Sequence, residues 1–217
     1  MPDSRRPFNL FFFAILSGFL LYASFPPHDL GFFAWFCLAP LFFSILLSKR
    51  KIIVFVYAFS AGSLYTALHI RWLTEVPNFP LVGLVLIAAY TGLYFGAFFL
   101  VSVFIDRKTK LPRTLVYPAV FVAFEFMRSN MSFLAIPFGL LGHSQYKYLP
   151  IIQLASITSV YGVSFLLVAV NVAIAEICLF VSSNYPALQL LQIKKDKHGW
   201  RLPAVIASGM IVVTVAY

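Results

Sequence analysis

Long apolar runs alternate with short polar segments along the chain, and this pattern predicts an all-helical integral membrane protein. A helix that crosses a bilayer needs roughly 20 mostly apolar residues. Seven runs approach this length, at residues 8–25, 30–47, 52–70, 81–105, 113–128, 154–181 and 202–217. The fifth run is short and contains Pro118, so its length alone leaves the assignment open. The basic segments on either side of this run fall on the same side of the membrane as the other basic segments only if the run also crosses the membrane.

Lysine and arginine are distributed unevenly between the polar segments, and their distribution predicts the orientation. With the N-terminus in the cytoplasm, thirteen of the sixteen basic residues lie on the inner side, and the outer side keeps Arg71, Arg128 and Lys147. Cytoplasmic loops of membrane proteins carry an excess of Lys and Arg. We therefore expect a cytoplasmic N-terminus and about seven transmembrane helices. The loops that carry Trp72 and His143 would then face the same outer compartment.

The composition excludes several other classes of protein. Only 11% of the residues are charged and 61% are hydrophobic, whereas soluble domains have about 25% charged residues. The net charge of +9 comes from short basic clusters between apolar runs, a pattern that favours membrane orientation over nucleic-acid binding. Cys37 and Cys178 lie inside apolar runs, and the four histidines lack metal-ligand spacing. We expect no disulfide, no metal site and no cofactor.

One ionisable pair stands out at the end of the fifth run. Glu125 and Arg128 are three residues apart, so on a helix they share a face and can pair. Charged groups at membrane depth are costly and often mark a working site. Two interpretations remain open. The pair holds the helix end at the outer interface, or it is a polar anchor for a lipid head group or for the following loop.

The loop at 129–150 is too long for a tight turn and too apolar at 133–141 to lie in water. We expect it to dip back towards the membrane and to be covered by protein. Its polar groups follow Gly142, at His143, Ser144 and Gln145. A Ser beside a His suggests a nucleophile, but no carboxylate is identifiable that would orient the His.

Six segments in order and spacing resemble the N-terminal membrane half of the apolipoprotein N-acyltransferase family. They are Ala23 to Asp29, Ile70 to Leu73, Ala88 to Tyr94, Glu125 to Arg128, Ile136 to Gln145, and Val160 to Leu167. Phe138 departs from the family pattern, which often has Trp after the proline. The change keeps an aromatic ring at that position.

The resemblance implies a multi-pass protein of the bacterial inner membrane. Its partners would be membrane phospholipid as acyl donor and a lipoprotein as acceptor. Family members continue into a periplasmic nitrilase-like domain whose Glu, Lys and Cys transfer the acyl chain through a thioester. None of these three residues can be placed on this sequence. We therefore expect a truncated or split enzyme without a catalytic residue, inactive alone; in the split case its partner would be a separate nitrilase-like chain.

The resemblance also predicts a lipid entrance on the outer face. Its candidate lining or supporting residues are Trp72, Glu125, Arg128, Pro137, His143 and Gln145. Trp72 also suits the aromatic belt of a membrane interface. A non-catalytic membrane scaffold or lipid-binding module is the alternative. A transporter is weaker, because the sequence has no internal repeat.

Overall fold

The computed structural model describes residues 5–184, and this part of the chain is helical, without a β-strand. Its α-helices are α1 (Arg5–Ala23), α2 (Ala39–Leu47), α3 (Lys51–His69), α4 (Leu81–Lys108), α5 (Arg113–Asn130), α6 (Leu149–Ile152) and α7 (Ala155–Asn184). Short 3-10 helices lie at Gly31–Trp35, Arg71–Glu75, Ser132–Leu134 and Leu141–Gln145. The predicted helix at 202–217 lies outside the described residues.

Three of the described helices are long and apolar enough to cross a membrane. They are Lys51–His69, Leu81–Lys108 and Ala155–Ser182, and shorter apolar helical segments occupy Leu10–Ala23 and Gly31–Leu47. The structure therefore supports an all-helical, membrane-type protein. The helix α5, which contains Arg113, Glu125 and Arg128, is not among these candidate spans. Its crossing, and the total of seven, stay predictions.

The predicted second helix is interrupted. Instead of one helix over 30–47, the chain forms the 3-10 helix Gly31–Trp35, leaves helical geometry at Phe36, and starts α2 at Ala39. Pro40 stands in the first turn of α2. A proline there is tolerated, because its missing N–H needs no partner, but its ring collides with the carbonyl four residues earlier. A helix arriving from the N-terminal side therefore ends before it.

The chain divides into two compact units, Met1–Val101 and Ser102–Tyr217. In the first unit, α1 packs against α2 and α3. The backbone N–H of Leu41 donates to the Ser17 hydroxyl at 2.9 Å. A Cβ at Gly18 would lie 3.0 Å from the Ala61 carbonyl oxygen, so the absence of a side chain lets α1 lie close to α3.

In the second unit, α5 packs along α7, and α6 and the 3-10 helix Leu141–Gln145 also contact α7. The helix α7 is interrupted near its start by Ser159, whose φ of 61° and ψ of 177° are not helical. From Val163 to Ala175 its residues are mostly buried. This buried stretch forms the core against which α5 and the following loop are held.

Candidate functional site

Glu125 and Arg128 lie in the last turns of α5, and both are buried, with 5% and 7% of their surface exposed. The spacing of three residues places them on one side of the helix. The exposed Phe126 and Met127 lie between them in sequence and point away. In these last turns of α5 the two charged side chains therefore face the protein interior, and Phe126 and Met127 face outward.

The loop after α5 is held by two helices at consecutive backbone amides. The N–H of Leu141 donates to Glu125 Oε1 on α5 at 2.7 Å, and the N–H of Gly142 donates to Ser164 Oγ on α7 at 2.9 Å. Both bonds are buried. A carboxylate acceptor makes a shorter and stronger bond than a neutral one. The pair of bonds fixes the start of the 3-10 helix Leu141–Gln145 between α5 and α7.

Arg128 holds the same loop further back along the chain. Its Nη2 donates to the carbonyl of Gly139 at 3.4 Å, and its own backbone carbonyl accepts from the N–H of Ile136 at 2.9 Å. Among the residues that the structure describes, no ion pair joins Glu125 to Arg128. The two side chains thus bind the loop rather than each other. Of the interpretations open from the sequence, the structure shows the loop anchor, and contact with a lipid head group stays a prediction.

Gly142 is required where the loop crosses α7. A Cβ at this position would lie 2.6 Å from the Val160 carbonyl oxygen and 3.2 Å from Ser164 Oγ. No real Cβ approaches an oxygen this closely, so a side chain would force the loop off α7. The absence of a side chain permits the hydrogen bond between Gly142 and Ser164.

Ser144 and Gln145 continue the buried network. The Ser144 hydroxyl donates to the Leu141 carbonyl at 2.7 Å and accepts from Gln145 Nε2 at 2.9 Å. Both residues are at most 2% exposed. A hydroxyl that is buried and donates to the backbone is poorly placed to attack a substrate, so the geometry does not support Ser144 as a nucleophile.

His143 lies on the exposed side of the same 3-10 helix. Partial desolvation lowers the pKa of its imidazole, and the nearby positive charge of Arg128 lowers this pKa further. Both effects disfavour a second positive charge at this place. The neutral imidazole is therefore the favoured form near neutral pH.

The outer side of the loop is apolar and open. Phe133 is 91% exposed and Phe138 is 72% exposed, and Pro137 beside it is also exposed. Within residues 5–184, protein buries the loop at 140–142 and at 144–145 but leaves 131–134 and 137–138 exposed, so the expected protein cover is present for only part of the loop. The polar anchors occupy the inner side of the loop, so its apolar side chains are left outside.

The six candidate residues fall into three groups. Glu125, Arg128 and Gln145 belong to the buried network that holds the loop, whereas Pro137 and His143 lie on its exposed side. Trp72 lies in the other unit, in the 3-10 helix Arg71–Glu75, and is 60% exposed.

Sequence reasoning missed the role of Ser164. It lies within the segment Val160 to Leu167 that carried the family resemblance, but nothing in its sequence context indicates which amide it binds. Among residues 5–184 no group of three or more His, Cys, Asp or Glu side chains is arranged to hold a metal ion.

A second buried polar cluster lies near the other end of α5. Arg113 Nε is 3.1 Å from Asp106 Oδ1 and 3.2 Å from Oδ2, and Arg113 Nη1 is 3.4 Å from Glu176 Oε1. Glu176 is 3% exposed, so it is buried in an ion pair instead of extending to solvent. The cluster joins the end of α4, the start of α5 and the later part of α7. The arrangement gives Glu176 a structural role.

The fold and site define a class, a helical membrane-type protein in which the loop after α5 is held by buried polar side chains. Residues 17–173 match the family described as the apolipoprotein N-acyltransferase N-terminal domain, and the chain belongs to this family. The matched region contains α5, the loop and most of α7.

Individual relatives agree with this assignment. The apolipoprotein N-acyltransferase of Geobacter metallireducens is 31% identical over 86% of this chain and 37% of its own length. Apolipoprotein N-acyltransferase 1 of Treponema denticola is 28% identical over 97% of this chain and 38% of its own length. The Thermotoga maritima protein is 30% identical over 76% of this chain and 35% of its own length. The chain thus spans little more than a third of these relatives.

Proposed function

We propose that this chain is the membrane domain of an apolipoprotein N-acyltransferase. The reaction would move an acyl chain from a membrane phospholipid to the α-amino group of the N-terminal diacylglyceryl-cysteine of a lipoprotein. Family membership supports the enzyme class. The membrane would be the bacterial inner membrane, crossed about seven times from a cytoplasmic N-terminus, and the charge bias and the apolar helices support this arrangement.

The observation that carries the proposal is the double attachment of the loop at Leu141 and Gly142. A loop whose conformation is already fixed binds an acyl chain more tightly, because the loop loses less conformational entropy on binding. The acceptors on α5 and α7 fix this loop from the inside. Glu125, Arg128 and Gln145 would thus support the lipid entrance, and Pro137, His143 and Trp72 would line it.

The chemistry itself would be supplied by a nitrilase-like domain with a Glu, Lys and Cys. Its thiolate would attack the ester carbonyl of the phospholipid, forming a thioester and releasing the lysophospholipid. The lipoprotein amine would then attack the thioester, forming an amide and returning the thiol. Cys37 is buried and its thiol donates to the Ala34 carbonyl at 3.6 Å, and the Ser144 hydroxyl donates to the backbone. Neither Cys37 nor Ser144 is therefore placed to act as a nucleophile, and we propose that this chain alone is inactive.

Complementation tests the proposal. A strain depleted of its own N-acyltransferase would receive this chain, the catalytic domain of the Geobacter metallireducens relative, or both. Rescue by the pair alone is expected, and Glu125→Ala should weaken it. Glu75→Ala, which changes an exposed carboxylate, is the matched control.

The other outcomes separate the alternatives. Rescue by this chain alone would overturn the placement of the chemistry. Failure of the pair, with both parts present in the membrane, would favour a scaffold or lipid-binding module. Substrate flux in proteoliposomes would be needed to support a transporter.

A further inference from the structure

The apolar outer side of the loop forms one exposed surface, which we name the apolar loop face: Met131, Phe133, Leu134 and Phe138. These side chains are 42%, 91%, 42% and 72% exposed. Contiguous exposed apolar side chains mark contacts with proteins, ligands or membranes. In the same unit, α5 and α7 also expose large apolar side chains, so the loop face is not an isolated feature.

Five backbone amides of the loop that carries the apolar loop face have hydrogen-bond partners within the protein. The N–H groups of Leu134, Ala135 and Ile136 donate to the carbonyls of Met131, Ser132 and Arg128 at 3.0, 3.0 and 2.9 Å. The amides of Leu141 and Gly142 are bound by Glu125 and Ser164. Non-helical backbone enters an apolar environment only when its polar groups are satisfied internally.

The charges of the loop that carries the face favour a lipid surface. The sequence has no Asp or Glu between Glu125 and Glu176, whereas Arg128 and Lys147 lie in this interval. Lys147 Nζ is 5.5 Å from the centre of the Tyr146 ring, and Tyr146 is 45% exposed. Exposed tyrosines and a lysine beside an apolar surface are typical of the band where head-group phosphates meet acyl chains.

We propose that the apolar loop face inserts into the outer-facing leaflet of the bilayer, at the boundary between head groups and acyl chains, with Lys147 at the level of the phosphates. The occupant is therefore phospholipid. A second copy of this chain or another protein domain is an outcome of the test. The proposal rests on the membrane placement given above, but it does not require acyl transfer, so the two can fail separately.

Nitroxide labels test the depth of the face in the full chain. With both native cysteines changed to alanine, Phe133→Cys and Phe138→Cys would be labelled in vesicles of phosphatidylcholine and phosphatidylglycerol. Accessibility to oxygen should exceed accessibility to a water-soluble nickel complex several-fold. Both labels should lie about 5–10 Å below the head-group boundary, the depth of interfacial segments. Lys110→Cys, at an exposed polar position, is the control and should be accessible to nickel.

Two results would overturn the proposal. Labels at 133 and 138 that react with nickel like the control would place the face in water. Labels shielded from both reagents would mean that protein covers it. A photoreactive phenylalanine at Phe133 offers a second measurement with a side chain closer to the native one. A phospholipid adduct supports the proposal, and a protein adduct contradicts it.

Discussion

Replacement of Glu125 by alanine removes the acceptor for the Leu141 amide without a new partner. Leu141 is 2% exposed and the bond length is 2.7 Å, so water does not take over the role of the carboxylate. An unsatisfied buried donor costs about 1–3 kcal/mol. At about 1.4 kcal/mol for each factor of ten, this raises the equilibrium for local opening of the loop roughly 5- to 150-fold.

Hydrogen exchange measured by mass spectrometry reads this opening directly. When closing is fast, the exchange rate of a protected amide follows its opening equilibrium. In Glu125→Ala the Leu141 amide, measured in peptides that contain it, should exchange roughly 5- to 150-fold faster than in the unchanged chain. Glu125→Gln keeps an acceptor oxygen and should show a smaller rise. Glu75→Ala, which changes an exposed carboxylate, should leave these peptides unchanged.

Unchanged exchange at Leu141 in Glu125→Ala would refute the reasoning, since the bond would then contribute no free energy to the loop. An equal rise throughout α5 and α7 would also contradict it, because the unit as a whole, and not the loop, would have been loosened.

Three further outcomes follow from the same unit. Gly142→Ala should lower the thermal unfolding midpoint, because its Cβ would lie 2.6 Å from a carbonyl oxygen and overpacking costs about 1–3 kcal/mol. Arg113→Met should cost about 3–5 kcal/mol of unfolding free energy, since it leaves Glu176 buried without its cation, and adding Glu176→Met should recover much of the loss. An NMR titration should give His143 a pKa below about 6.5, and Arg128→Gln should raise it. The folded chain binds the His143 proton more weakly than the unfolded chain does. His143 therefore has no effect on the free energy of unfolding at pH values above its unfolded-state pKa, and it lowers that free energy as the pH falls through this pKa.

Local sequence signals predicted the helical class and the shared face of Glu125 and Arg128. Pro40 also carries a local signal for the break before α2, although the length of the apolar run had suggested one helix. No local sequence signal predicts which group donates a hydrogen bond to Glu125. Leu141 is 16 residues away, and its amide meets the carboxylate only because the path of the loop brings it there.

The exposure of part of the loop within residues 5–184 was not predicted, for a different reason. Apolar residues at 133–141 indicate that water is excluded, but composition does not distinguish exclusion by protein from exclusion by lipid. Phe133 and Phe138 point outward because the polar contacts of Arg128 and Glu125 occupy the inner side. The direction in which each apolar side chain points depends on those long-range hydrogen bonds.

The two hydrogen bonds at Leu141 and Gly142 make the loop a mechanical link between helices. Neighbouring amides are fixed to one another by the covalent chain, and one is bound to α5 while the other is bound to α7. A slide of one helix past the other by a single residue, about 1.5 Å, would lengthen or bend at least one of these bonds of 2.7 and 2.9 Å. The loop therefore adds to the direct packing that holds the register of the two helices, and a displacement between them would reach the surface that the loop supports.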